Sequence, residues 1–239
     1  MDRRRATETV AQFVARLPPS SAARTHPPHL IPPWYWIHNP HSPPSSLGDV
    51  AAFTREGTTL LKRVKFDFNL TTQSNPGGAP RLTPNLRAAL QQELADLAKT
   101  HGVTTGKWML FPTLSAVDET WSKICHAVDA NRLGDTAKVS TGCNVRGAAV
   151  VTSTTRLICV YTKDFTDVRD VKRVLLELNK LGLVSRNEGG LNLWYKSDAY
   201  THLGIYNKNE FGLGASNYSS NDFSLKDDDG PEDVEMKDV

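Results

Sequence analysis

Between Thr83 and Lys196 the chain alternates between helical and strand periodicity, and the short links between its strand-like runs limit the fold most. Thr83-Pro84 supplies an N-cap and a first-turn proline for a helix carrying Leu86, Leu90, Leu94 and Leu97 in one stripe. Lys107 to Phe111 reads as a strand. Ser115 with Asp118 resembles a capping box for a helix that turns Val117, Trp121, Ile124, Cys125 and Val128 inward, with Gly134 as its terminator. Three β-like runs follow, Ala137–Thr141, Ala148–Ser153 and Arg156–Lys163, the last two joined by a Thr154-Thr155 turn. Asp167 opens a third helix with Val171, Val174, Leu175, Leu178 and Leu181 inward, ended by Gly182. A final hairpin is expected to join Leu183–Asn187 to Leu191–Lys196. Strands joined by short links pair antiparallel, and three one-sided helices need one common apolar face to cover. The fold class is therefore α+β in two layers: an antiparallel sheet with three helices on one face and an open, concave face suited to a ligand.

The flanks differ from this middle. Residues 1–33 combine an Arg-rich amphipathic segment, with Val10, Phe13, Val14 and Leu17 on one helical face, and a strap carrying three Pro-Pro pairs. The segment reads as a docking helix, and its arginines also fit a mitochondrial presequence, where Asp2 and Glu8 are atypical. Residues 34–213 form the expected single domain, with Asn69 to Arg81 a surface loop. Residues 214–239 lose periodicity and read as a disordered acidic tail. Its last fourteen residues hold seven acids and two lysines, a net −5, which leaves +7 on residues 1–225 although the whole chain carries only +2. Ser219 and Ser224, each with Asp three residues later, are candidates for acidophilic phosphorylation. No apolar run reaches the roughly 18 residues of a membrane span, so the expectation is a soluble protein without a membrane partner, cytoplasmic or nuclear. Cys125, Cys143 and Cys159 lack Cys-x-x-Cys spacing and fit reduced, buried thiols.

Catalytic motifs are sparse. Gly102 to Trp108 approaches a phosphate-binding loop, but three residues separate its glycines, Trp108 stands where a hydroxyl is required, and a strand follows in place of a helix. His26, His29, His38 and His41 could ligate a metal, yet they lie in a Pro-rich strap that would not orient them. Cys125-His126 diverge by about 100° on a helix. No cofactor, metal or catalytic residue is expected, and the chain reads as a binding protein.

Aromatics interleaved with cations carry more weight: Trp34-Tyr35-Trp36, Lys107-Trp108, Tyr161-Thr162-Lys163 and Trp194-Tyr195-Lys196. Bases stack on aromatic faces for about 1–3 kcal/mol each while Lys binds phosphate, so such a surface suits nucleotides or single-stranded RNA. In this reading Lys107, Lys138 and Lys163 hold phosphates, Trp194 or Tyr161 stacks a base, and Lys196 shares a face with Trp194. The alternative is a protein-interaction adaptor that docks partners through the N-terminal helix, the helical face or the acidic tail.

Trp34 to Pro40, Thr105 to Phe111, Val117 to Trp121, Gly134 to Val139 and Tyr200 to Tyr206 together resemble the basophilic leukaemia-expressed protein family over about residues 34–220. That resemblance implies a fold similar to the cap-binding translation initiation factor 4E, a curved antiparallel sheet with helices on its convex back. Trp34 and Trp36 look like that factor's early Trp-x-x-Trp strand with altered spacing, and Trp121 matches its helix tryptophan. Cap recognition there uses two loop tryptophans. Residues 41–60 and 71–104 contain none, so cap binding is not implied.

Overall fold

The computed structural model describes residues 2–22, 31–43, 48–74, 82–143, 153–184 and 192–225. Six strands form one sheet: β1 Trp34–His38, β2 Gly106–Leu110, β3 Thr136–Ser140, β4 Ile158–Thr162, β5 Trp194–Ser197 and β6 Tyr218–Ser219. Their order is β1-β3-β4-β2-β5-β6, and every pairing is antiparallel. The helices among the described residues are α1 Val10–Arg16, α2 Val50–Ser74, α3 Pro84–Thr100, α4 Val117–Asp129, α5 Val168–Lys180 and α6 Asp198–His202. The α+β class with an open antiparallel sheet is as expected, but there are six such helices where three were expected on one face.

Local chemistry accounts for the legible elements. Thr83 caps α3 by accepting from the Leu86 amide, with Pro84 in the first turn, and Asp167 caps α5 by accepting from Arg169 and Asp170. Leu90 and Leu94 of the α3 stripe are buried, whereas Leu86 is exposed. α4 departs from expectation at both ends. Ala116 is its N-cap, whose methyl has no acceptor to offer, and the Asp118 carboxylate accepts instead from the amide and hydroxyl of Ser20. Its end is marked by Asn131 in a left-handed conformation (φ 56°). Gly134 serves a different purpose, since a Cβ there would lie 1.7 Å from the Tyr161 carbonyl oxygen.

Two expected hairpins are corrected by the sheet order. β4 is flanked by β3 and β2, so no edge remains along Ile158–Thr162 for a partner joined through Thr154-Thr155. β5 is flanked by β2 and β6, which leaves no edge for Leu183–Asn187. Residues 144–152 and 185–191, on which parts of both hairpins fall, lie outside the described residues. Helix α2 occupies sequence read partly as loop. Gly57 and the Thr58-Thr59 pair weaken local helix propensity there, but tertiary packing overrides it: Leu61 is buried, Leu60, Val64 and Phe68 pack beside it, and Leu203 presses to 2.7 Å from where a Gly57 Cβ would sit. The expectation of disorder from residue 214 is also corrected for residues 214–225. Tyr218–Ser219 pair with β5, Phe223 packs edge-on against Trp108, and Ser219 is buried and bonded to Asp222, a poor phosphate acceptor. Residues 226–239, with the acidic run, lie outside the described residues, as do the strap residues 23–30.

The main core lies between one sheet face and the helices. Trp108 is fully buried, and its indole donates to the Val171 carbonyl of α5 at 3.0 Å. α4 packs across β1 and β3, with Trp121 fully buried. α1 lies on α4, where Phe13, also fully buried, meets Trp121 edge-on at 6.5 Å. Two of the N-terminal arginines are tied down: Arg4 pairs with Asp129 at 2.7 Å, and hydrogen bonds from Arg16 hold the Glu8 carboxyl down to about 2. Asp2 accepts from the Trp36 amide at 2.8 Å, covering part of the outer edge of β1. A second, smaller core joins α2, α3 and α6 through Leu61, Leu90, Leu94 and Tyr200. Cys125, Cys143 and Cys159 are buried free thiols, and no helix among the described residues is long and apolar enough to cross a membrane.

Candidate ligand-binding site on the open sheet face

Alternation along each strand sorts its side chains between two faces. The odd-numbered residues of β1, the even-numbered residues of β2 and β4, and the odd-numbered residues of β3 face the helices. Their neighbours make the opposite face, and the register aligns them into two rows. One row runs His38, Thr136, Tyr161, Lys107, Lys196, and the other Trp36, Lys138, Cys159, Met109, Trp194.

The two ends of these rows differ. At the β2–β5 end, Lys107 is 7% exposed and forms an ion pair with Asp198, while its ammonium also donates to Thr201 Oγ1 at 2.9 Å. The other Asp198 oxygen accepts from Thr105 at 2.6 Å. Asp198 opens α6, so this network clamps that helix to β2. Lys196 is 6% exposed, donates to the Ile205 carbonyl at 2.6 Å and lies 4.0 Å from the Tyr206 ring centroid. Burial, reinforced by the nearby Lys107 charge, pulls its ammonium down to about 8. Both lysines are engaged in holding residues 198–206 to the sheet.

At the β1–β3–β4 end, Lys138 stands among aromatic rings. Its Nζ lies 4.4 Å from the Trp34 centroid, 4.9 Å from Trp36 and 5.3 Å from Tyr161. The Trp36 and Tyr161 planes are nearly parallel, 18° apart with centroids at 6.4 Å, and the His38 ring lies parallel to Trp36 as well, at 6.2 Å and 3°. All four of Trp34, Trp36, Lys138 and Tyr161 are half-buried. Among the described residues no carboxylate lies within ion-pair distance of Lys138; the three rings are its direct contacts, and Asp198 acts on it from farther away. Burial makes the Lys138 ammonium easier to deprotonate and pushes the Tyr161 phenol far above its usual range. His38 is likewise held toward its neutral form by burial, its ring nitrogen 2.8 Å from the Thr136 hydroxyl.

Of the residues singled out by sequence, the structure thus brings Lys138 and Tyr161 into one cluster. Lys107 and Lys196 sit in the buried contacts just described. Trp194, 47% exposed, stands in β5, two strands beyond β4. Lys163 lies past the end of β4, exposed, with its carbonyl accepting from Thr104 at 2.9 Å. The walls of the cluster, Trp34 and Trp36, were not among the expected ligand-binding residues, although the i, i+2 spacing of Trp34-Tyr35-Trp36 already places both on one face. Asp198 and Tyr206 were not among the expected ligand-binding residues, Tyr206 entering only through the family resemblance of Tyr200 to Tyr206. Among the described residues no group of His, Cys, Asp and Glu is arranged to hold a metal ion.

The family model described as Basophilic leukemia-expressed protein Bles03 matches residues 1–204, and the chain belongs to that family.

Proposed function

We propose that this family member is a non-catalytic binding module whose open sheet face takes a nucleotide or single-stranded RNA. The observation that carries the reading is Lys138, a half-buried cation framed by three aromatic rings and, among the described residues, without a carboxylate at ion-pair distance. An ammonium packed against rings and not ion-paired keeps its attraction for an anion, and flat rings beside it offer a base somewhere to stack. The reading assigns the phosphate to Lys138 and the base to Trp34, Trp36 and Tyr161. It moves those roles away from Lys107 and Trp194. Two further features support it: the +7 balance of residues 1–225 and the burial of Cys159, which pushes its thiol up to about 11 and argues against a nucleophile on this face.

We also infer an architecture similar to translation initiation factor 4E. The single antiparallel sheet, covered by α4 and α5 on one face, is consistent with that relationship. Cap recognition is not part of the proposal, since residues 41–60 and 71–104 hold no tryptophan.

Fluorescence anisotropy with short labelled RNAs, competed by nucleoside monophosphates at about 50 and 150 mM salt, tests the reading. Saturable binding that falls at least tenfold in both Trp36→Ala and Lys138→Met is expected. Absence of binding at the lower salt would sink it.

A further inference from the structure

The open face carries three lysines, two in one row and Lys138 in the other, but their environments are unequal, and the inequality limits what the face can hold. Lys107 spends its charge on Asp198, and Lys196 is capped by the Ile205 carbonyl and the Tyr206 ring. Segment 198–206 is anchored by these contacts, so neither ammonium is presented to a ligand. Lys138 alone of the three lacks such a partner among the described residues. The row that leads from it toward Trp194 crosses Cys159 and Met109, a floor without a charge for a second phosphate. On the other side, residues 2–4 run along the outer edge of β1. The usable area therefore spans β1, β3 and β4, about 10 Å between outer strands at the usual spacing.

We infer that the site accepts a ligand with one phosphate and an uncharged base, of the size of a nucleoside monophosphate or dinucleotide, and discriminates against long RNA tracks and permanently cationic bases. The inference rests on the nucleotide reading above and narrows it. Of the three lysines on the described face, only Lys138 is left outside an ion pair or main-chain bond, which supports one phosphate contact at this cluster. A base stacking on Trp34 or Trp36 comes to lie beside the Lys138 ammonium, 4.4 to 4.9 Å from those ring centroids, where a second positive charge is repelled.

The test uses the full chain and four probes: uridine and guanosine monophosphates, a decauridylate, and the monophosphate of N7-methylated guanosine, whose base is cationic. Affinities are measured by calorimetry or tryptophan quenching from about 50 to 200 mM salt. One phosphate contact gives a slope of log affinity against log salt near −0.7 for the decauridylate, the one polyelectrolyte among the probes. The decamer then gains no more than about tenfold over uridine monophosphate, the statistical factor of its registers, and the methylated guanosine probe binds at least fivefold more weakly than guanosine monophosphate. Lys138→Met flattens the slope toward zero while Lys163→Met leaves it unchanged. A decamer slope of −2.8 or steeper, meaning four or more phosphate contacts, overturns the inference while leaving the nucleotide reading intact, and so does a preference for the methylated base. No binding by any probe overturns both.

Discussion

Trp108 and Trp36 stand on opposite faces of one sheet and show what separates scaffold from site. Trp108 is fully buried, its indole nitrogen bonded to Val171 and its ring packed edge-on against Tyr195 and Phe223. Trp36 is half-buried, with rings ranged beside it and an ammonium at 4.9 Å. The first is surrounded by partners that satisfy its polar atom and fill its space. The second is left only half-buried by its neighbours. The same side chain thus supplies stability on one face and a surface for recognition on the other, and substitutions should separate the two roles.

The largest effect is expected behind the sheet. Trp121→Ala removes a fully buried ring that Phe13 covers, and should lower unfolding free energy by about 3–5 kcal/mol in urea titrations. A loss below about 1 kcal/mol would mean that α1 does not close this core. Next comes the clamp on α6. Asp198→Asn strands a Lys107 side chain that is only 8% exposed and should cost about 3 kcal/mol, whereas pairing it with Lys107→Met should restore much of the loss. Equal destabilisation in the single and double variants would show that the network does not act through charge.

Trp36→Ala should reverse the pattern, costing about 1 kcal/mol of stability for its partial burial yet weakening nucleotide binding at least tenfold. A stability loss as large as that of Trp121→Ala would erase the distinction between the faces. The smallest effect concerns pH. The folded state holds Lys196 near 8, below its ordinary value of 10.5, so above about pH 8 the unfolded chain binds more protons at this site. Its contribution to stability therefore rises between pH 8 and 10.5 and is unfavourable below. Thermal melts of the protein against Lys196→Met should show the native protein gaining on the variant across that window; a constant difference would contradict the buried-ammonium assignment.

Much of the scaffold was legible because its signals are local. The Thr83 cap, the Asp167 cap and the β2 strand depend on residues a few positions apart. Helix α2 was obscured because Gly57 and its threonines argue against a helix until Leu203 and the α3 leucines are packed on it. The two misplaced hairpins share a cause: short links suggested neighbours, while the register pairs β4 with β3 and β2 and pairs β5 with β2 and β6. The site was legible in kind and not in membership. Aromatic and cationic pairs could be counted along the chain, but whether a lysine meets Asp198 or a ring of aromatics depends on strands brought together from distant sequence. Lys107 and Lys138 look alike as text, and only the pairing of β1 with β3 gives the second one its surroundings.

The five tryptophans offer the most direct test of the division between faces. Their indole N–H resonances can be assigned by single Trp→Phe substitutions and followed while guanosine monophosphate is added. The account predicts saturable shifts at Trp34 and Trp36 with Trp108 and Trp121 stationary. Five unmoved resonances, or shifts confined to Trp108 and Trp121, would contradict it.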